Sequence, residues 1–166
     1  MTNKIIAGVL ITNILSTFAF AQGDRQAALA FQTGTTAGAL TFSVAIDGGG
    51  TDQQTVPIPA AAPVITGMQT VRSGGVVELR ITGFDNTRTL GALSFTFYDA
   101  AGSAIAPGVI RADASAEFAR YFATAEAGVF MLRLAFPVSG DTSGIAACET
   151  ALTNSAGSSK TTRTTF

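Results

Sequence analysis

The sequence has 166 residues, of which 47% are hydrophobic and 13% charged, and this composition is typical of a folded domain and excludes a disordered chain. Lysine and arginine total 10 against 11 acidic residues, with no long run of like charge, which excludes a broad basic surface for nucleic acid. The chain has no histidine and one cysteine, which excludes His-based acid–base chemistry, His-containing metal sites and a disulfide within the chain.

The first 21 residues have the pattern of an export signal. Lys4 supplies a positive start, residues 5–20 are mostly apolar, and Ala19-Phe20-Ala21 gives the small-x-small cleavage pattern. Polar residues interrupt the apolar stretch, so it is weaker than the roughly 20 apolar residues of a membrane-spanning helix. We predict a signal peptide over residues 1–21, no membrane span after its cleavage, and a periplasmic or extracellular (secreted) protein of a bacterium. An uncleaved N-terminal anchor is the alternative.

Apolar and polar residues alternate along several later segments, which is typical of half-buried strands. In chain order, the apolar rows are Leu40, Phe42, Val44 and Ile46; Val77, Leu79 and Ile81; Leu93, Phe95 and Phe97; and Phe130, Leu132, Leu134 and Phe136. The last row lies opposite Arg133 and is the strongest core signal. Weaker strands are predicted over residues 29–31, 54–58, 65–71, 109–111, 147–153 and 159–165.

One helix is predicted to interrupt the strands, beginning at Ser115 as its cap. Glu117 suits the positive helix N-terminus, and Phe118, Tyr121 and Phe122 recur at helical spacing on one face. Turn-forming residues separate the strands, as an antiparallel fold requires. These predicted turns cover residues 47–52, 72–75, 99–102 and 154–157.

The run from Val56 to Pro63 is rich in proline and is typical of an edge strand followed by a linker, so we place a domain boundary there. Residues 63–166 carry about seven strands, close to the ~100 residues of an immunoglobulin-like sandwich, whereas residues 22–62 carry three. The predicted fold class is all-β: an immunoglobulin-like antiparallel β-sandwich with one short helix, preceded by a smaller three-stranded β segment. We expect that segment to pack on or extend the main domain.

The motif PVITGMQTVRSGGVVELRITGFDNTR, residues 63–88, and the terminal hairpin LTNSAGSS, residues 152–159, resemble the IPT/TIG-type immunoglobulin-like modules of secreted bacterial proteins. The residues that carry the resemblance are Pro63, Ile65, Gly75, Ile81, Gly83, Phe84, Asn154 and Gly157. The segment FQTGTTAGALTFSV, residues 31–44, resembles the closing strands of bacterial immunoglobulin-like adhesin repeats. These resemblances imply a binding, spacing or adhesive role without catalysis, although a fold alone does not determine function.

One segment suggests an enzyme. Residues Asp141-Thr142-Ser143-Gly144 resemble the Asp-Thr-Gly loop of aspartic proteases, in which two carboxylates share one proton. Ser139-Gly140 separates this Asp from the preceding apolar strand, and the composition is that of an ordinary turn, so we favour a turn. Serine and cysteine nucleophiles lack a His partner, and Lys160 lies in a polar terminal strand.

Two further features suggest sites but have simpler interpretations. Asp47, Asp52 and Asp99 lie in turns, yet they offer too few carboxylates for the several oxygens that Ca²⁺ requires, so solvated hairpins are favoured. Cys148 lies in step with Thr150 and Leu152 on a predicted strand and is interpreted as a core cysteine, with a reactive or intermolecular thiol as the alternative.

Tyr98 and Met131 fall on the outward faces of their strands, where an apolar patch for a partner is conceivable. We predict no catalytic, cofactor-binding or metal-binding residues and no nucleic-acid partner. The predicted function is that of a secreted, non-catalytic module at the bacterial cell surface that binds an unidentified protein or glycan as a monomer. The alternatives are a small secreted hydrolase of the aspartic-protease type and a self-assembling surface or filament subunit formed by strand addition.

Overall fold

The computed structural model describes residues 5–11, 14–20, 36–46 and 49–166. The chain forms two compact units, Met1–Pro59 and Ala60–Phe166. The division falls inside the proline-rich run, where the last strand of the first unit ends at Ile58. Proline nitrogens carry no N–H, so this run is poorly suited to continuing a hydrogen-bonded ladder.

The first unit contains one antiparallel sheet of strand order β2-β1-β3-β4. Its strands are β1 (Ile5–Ile11), β2 (Ile14–Phe20), β3 (Gly38–Ile46) and β4 (Thr51–Ile58). β1 and β2 fall in the segment predicted to be an export signal, and its removal stays a prediction. Of the three strands predicted within residues 22–62, two are β3 and β4. The third, at residues 29–31, lies outside the described residues, as does the cleavage position Ala21.

The second unit is an antiparallel β-sandwich. One sheet has the order β5-β6-β9, and the other has the order β11-β10-β7-β8 with β12 also pairing with β10. The chain crosses between the sheets after β6, β8 and β9, as in immunoglobulin-like sandwiches. The fold class predicted from the sequence is confirmed. The strands are β5 (Val64–Ser73), β6 (Val76–Phe84), β7 (Ala92–Tyr98), β8 (Ala104–Asp113), β9 (Val129–Pro137), β10 (Ala147–Asn154), β11 (Gly157–Ser158) and β12 (Thr162–Thr165).

The core lies between these two sheets and follows the predicted alternation. The inward rows of β6 and β7 are buried: Val77, Leu79, Ile81, Leu93, Phe95 and Phe97. The ring of Phe136 in β9 meets the rings of Phe95 and Phe97 edge-on, with centroids 5.2 and 5.1 Å apart. Aromatic pairs therefore join the sheets across the core.

The row in β9, interpreted from the sequence as the strongest core signal, is less buried than predicted. Only Phe130 is fully buried, whereas Leu132, Leu134 and Phe136 are partly exposed. The reason is topological, because β9 is an edge strand of the three-stranded sheet. Alternation identifies the face that a residue occupies but not the distance of its strand from the sheet edge.

The helix α1 (Ser115–Thr124) connects β8 to β9 and covers part of the core. Phe118 and Phe122 are buried one turn apart, and Phe118 meets Phe130 edge-on at 5.6 Å. Tyr121, predicted on the same face, is instead 43% exposed, and its hydroxyl donates to the Val129 carbonyl at 2.9 Å. Among the described residues, no helix has the length and hydropathy that crossing a membrane requires.

The predicted cap of this helix is wrong. Ala114 occupies the N-cap position and provides no side-chain cap. The Asp113 carboxylate, one residue earlier, accepts the backbone N–H of Ser115 at 2.9 Å and also the Ser115 hydroxyl. Hydrogen bonding from the Ser115 side chain and backbone holds the pKa of Asp113 below its ordinary value. An ionised carboxylate therefore lies near the positive end of the helix.

The hairpin turns follow the glycines, and one predicted strand is shorter than expected. Gly74 and Gly75 connect β5 to β6 with φ angles of 52° and 83°, which suit a two-residue turn. The strand predicted over residues 159–165 is regular only over Thr162–Thr165. Before it, the Leu152 N–H donates to the Ser159 hydroxyl at 3.1 Å, and the Ser159 N–H donates to the Leu152 carbonyl at 2.7 Å.

Candidate functional site

Asp141 begins a single turn of 3-10 helix, Thr142–Gly144. One carboxylate oxygen accepts the backbone N–H of Ser143 at 2.9 Å, and the other accepts the Ser143 hydroxyl. These hydrogen bonds, that of the hydroxyl first, lower the pKa of Asp141. The carboxylate therefore serves as an ionised acceptor in a turn, in agreement with the interpretation favoured from the sequence.

Of the aspartates predicted in turns, Asp52 lies in β4, and Asp99 lies in the loop between β7 and β8. Asp47 lies outside the described residues, Asp52 accepts the N–H of Gln53, and Asp99 accepts the N–H of Ser103. Asp52 and Asp99 belong to different units. Within the described residues, no group of three or more His, Cys, Asp or Glu side chains could hold a metal ion.

Cys148 lies in the core of the sandwich, as predicted from the sequence. Its side chain is completely buried and packs with the buried hydrophobic residues of both sheets. Burial raises the pKa of the thiol to about 11. The thiol is therefore protonated near neutral pH and behaves as a small apolar side chain, because reactivity requires the thiolate.

The buried carboxylate of Asp85 is a feature that the sequence analysis missed. It has no exposed surface and lies between β6 and β7. One oxygen accepts the N–H of Thr89 at 2.9 Å and the N–H of Leu90 at 2.7 Å. The other accepts the Thr87 N–H at 2.9 Å, the Thr87 hydroxyl at 2.7 Å and the Asn154 amide at 2.7 Å.

Burial alone would raise the pKa of Asp85, but the hydrogen bonds, led by those from the Thr87 and Asn154 side chains, outweigh it and lower the pKa. The carboxylate is therefore held in its charged form without a basic partner among these donors. A signal for this arrangement exists in the sequence: Asp85 is in phase with Ile81 in β6, and Asn154 is in phase with Leu152 in β10. Both polar residues therefore extend an inward apolar row.

Asn154 extends this hydrogen-bonded group to the chain that enters the second unit. Its amide nitrogen also donates to the Ala61 carbonyl at 2.8 Å, and its amide oxygen accepts the N–H groups of Ala156 and Gly157. The Ala61 N–H donates to the side-chain oxygen of Asn86 at 3.0 Å. We call Asp85, Asn86 and Asn154 the polar clamp; it organises loops and has the geometry of a structural element.

The two outward residues singled out in the sequence, Tyr98 and Met131, have different surroundings. The Tyr98 hydroxyl donates to Glu149 at 2.8 Å, which raises the pKa of Tyr98, and Arg163 bonds the same carboxylate at 3.1 Å. Arg163 also lies over the Tyr98 ring, 4.6 Å from its centroid. Tyr98 is thus occupied by neighbours, whereas Met131 is 74% exposed.

A cavity of 380 Å³ opens between the edge strands β8 and β9, and we call it the β8–β9 cavity. Its volume lies within the roughly 300–1,000 Å³ of ligand-binding clefts. Residues from both sheets line it, so it reaches the interior of the sandwich. The residues that line it are Val77, Phe97, Ile105, Ala106, Pro107, Ile110, Phe136, Pro137, Val138, Ser139 and Ile145.

Comparison with protein-family models found no family that matches this chain, and comparison with curated proteins found no matching relative. The resemblance to IPT/TIG-type modules therefore stays a prediction. Function must be argued from the groups described above, because the sandwich fold supports many unrelated functions.

Proposed function

We propose that the chain is a secreted, non-catalytic immunoglobulin-like module that acts at the bacterial envelope by binding a protein or a glycan. The observation that supports the non-catalytic part of this proposal is that four carboxylates accept local hydrogen bonds, which lower the pKa of each. These carboxylates are those of Glu78, Asp85, Asp113 and Asp141. A general acid near neutral pH requires the opposite displacement.

The contacts of these carboxylates explain the shifts. Glu78 accepts hydrogen bonds from Arg133 and Arg80 on the outer face of the sandwich, and Asp141 serves its own turn. Each carboxylate is an acceptor that stabilises local structure. Binding through a preformed surface needs no titratable group, and a rigid sandwich presents such a surface on its faces and loops.

Export and envelope binding provide the test. The full-length chain should be exported by a Gram-negative host, and intact-mass measurement of the exported protein should give an N-terminus at Gln22. The purified protein should then bind isolated envelopes saturably, with unlabelled protein competing. Asp141→Asn serves as the control and should bind like the wild type. A retained Met1, binding that does not saturate, or a peptidase activity that Asp141→Asn abolishes would contradict the proposal.

Self-assembly is a second candidate, and the pairing of β3 favours it. β1 pairs with β3 from Ala7 opposite Ile46 to Leu10 opposite Ser43. Cleavage after Ala21 would remove β1 and leave this edge of β3 without that partner, and an unpaired edge is a template for another chain. Light scattering of the processed protein over a wide concentration range separates the candidates: strand exchange gives concentration-dependent dimers or fibres, and the binding module stays a monomer.

A further inference from the structure

The side of the sandwich between β8 and β9 is covered over only part of its length. The helix α1 leaves β8 after Asp113 and joins β9 at Val129, and its Phe118 packs on Phe130 near that junction. The β8–β9 cavity lies toward the opposite ends of the two strands, between Ile105 and Phe136. One part of the opening between the sheets is therefore closed by helix aromatics, and the other part is open.

This cavity is continuous with the hydrophobic core. Val77 and Phe97, from opposite sheets, line it and are 0% and 7% exposed. Ile145, from the segment between β9 and β10, also lines it and is buried. A ligand in the cavity would thus lie against the partly exposed side chains of Ile105, Ile110 and Phe136, which pack directly on the core. Such depth is typical of small-molecule sites and differs from a shallow surface patch.

The residues that line the β8–β9 cavity disfavour a charged ligand group. None of the described residues that line the cavity has an ionisable side chain, and Ser139 supplies the one polar side chain among them. A charged or strongly hydrated group would lose its water there without replacement hydrogen bonds. The group that enters is therefore uncharged and apolar.

The strands at the edges of the cavity cannot readily pair with an added β-strand. Pro107 in β8 and Pro137 at the end of β9 both line it, and neither has an N–H to donate to an added strand. Gly108 has a φ of 86°, which interrupts the extended backbone of β8 beside the cavity. Strand addition needs a continuous row of backbone donors and acceptors, so the occupant is a flexible apolar chain.

We propose that the β8–β9 cavity binds the tail of a single-chain amphiphile of the free fatty-acid type, with its head group left in water. The volume of 380 Å³ favours one chain over the two chains of a phospholipid. This inference goes beyond the proposed function and concerns a ligand of the sandwich itself. It stands or fails independently of whether an envelope protein or glycan is bound elsewhere.

Titration of the ¹⁵N-labelled full chain with laurate below its micelle concentration tests the proposal, with butyrate as the probe that keeps the head group and shortens the tail. Laurate should shift the amide signals of residues 105–110 and 136–145 saturably, and butyrate should not. Ala106→Glu places a negative charge at an exposed position of the lining, where it opposes the apolar tail and repels the laurate carboxylate, and should weaken laurate binding by at least about tenfold. Ala104→Glu, exposed on the same strand outside the lining, should bind like the wild type.

Several outcomes would overturn the proposal. Equal shifts with both probes would show that the head group is recognised, and shifts centred on the exposed Met131 would show a surface site. Laurate binding that Ala106→Glu leaves unchanged would place the ligand elsewhere. Ser139→Glu, also at an exposed lining position, repeats the test if Ala106→Glu does not fold. Binding to phosphatidylglycerol vesicles without binding to laurate would indicate a membrane surface instead.

Discussion

The two ends of the sandwich are built differently. At the helix end, where β6 finishes at Phe84, α1 and the polar clamp close the core around the buried Asp85. At the hairpin end, where Gly74 and Gly75 connect β5 to β6, turns close individual strand pairs and the β8–β9 cavity stays open. The β5–β6 turn does bond the chain that follows β9, since the Gly75 carbonyl accepts the Val138 N–H at 2.8 Å, but that bond lies along one sheet. The comparison indicates that covering the gap between two sheets takes a helix or a loop that spans it.

Glycines show the same contrast. A methyl group on Gly83, Gly91 or Gly128 at the helix end would collide with neighbouring atoms. At the hairpin end, Gly102 has open space around it but adopts a φ of 80°. Packing thus requires glycine at three positions of the helix end, and backbone conformation requires it at Gly102 and also at Gly157, which has a φ of 140° at the end of the β10–β11 turn.

The largest loss of stability is expected from Phe130→Ala, because this substitution removes the ring through which α1 packs on the core. Phe130 is 1% exposed and packs against Phe118. We expect the free energy of unfolding to fall by about 3–5 kcal/mol, measured by denaturant titration. The adjacent Met131 is 74% exposed, so Met131→Ala should change it by less than about 0.5 kcal/mol. Equal effects of the two substitutions would show that the register of β9 is wrong.

Asp85→Ala should cause the next largest loss of stability. It leaves the donors on Thr87, Thr89, Leu90 and Asn154 without their acceptor in a buried loop. We expect a loss of about 3 kcal/mol, since each unsatisfied buried polar group costs about 1–3 kcal/mol and water reaches some of them. Chemical denaturation measures it. Asp141→Ala, in an exposed turn at the hairpin end, is the matched control and should cost less than about 1 kcal/mol.

Glycine substitutions sharpen the contrast between the ends. In Gly128→Ala the added methyl group meets the backbone carbonyl of Asp85, which cannot move without disturbing the polar clamp, so we expect a loss of about 1–3 kcal/mol. In Gly140→Ala the added methyl group meets no atom, but an alanine would have to keep the φ of 113°. We expect the free energy of unfolding to fall by about 1 kcal/mol. Gly144→Ala has neither problem and should be nearly neutral. Melting temperatures of the three variants measure these losses. A lower melting temperature for Gly140→Ala than for Gly128→Ala would contradict the packing argument.

The smallest effect is a dependence of stability on pH. The pKa of Asp85 is lower in the folded chain than its ordinary value of 3.8, so its ionised form stabilises the fold above pH 3.8. That contribution decreases as the pH falls from 3.8 through the lower folded pKa. Asp113, Asp141 and Glu78 shift in the same direction, so the difference between wild type and Asp85→Asn isolates Asp85. A stability difference that stays constant on acidification would show that Asp85 does not titrate in this way.

The sequence predicts the faces of the strands better than their depth. Val77 and Phe95 lie in the core as alternation requires, yet Leu132 is partly exposed because its strand is at an edge. Strand order depends on pairings between distant segments, which periodicity does not encode. The apolar run near the N-terminus shows a further limit, since it fits an export signal and also forms the strands β1 and β2.

Some candidate sites follow from the local sequence, and others depend on how distant segments come together. The turn at Asp141 and the core position of Cys148 follow from local sequence. The phase of Asp85 and Asn154 indicates two inward polar groups, but that they meet each other depends on β6 and β10 ending at the same end of the sandwich. The β8–β9 cavity depends on how much of the gap between two sheets the helix covers, a three-dimensional length that the sequence pattern does not contain.

The hydrogen bonds between the polar clamp and Ala61 affect how the domain responds to a pulling force. A pull on the chain from its N-terminal side reaches Ala61 before it reaches β5, and there it meets the bonds to Asn86 and Asn154 at 3.0 and 2.8 Å. These two bonds must therefore break before tension reaches β5 and its ladder with β6.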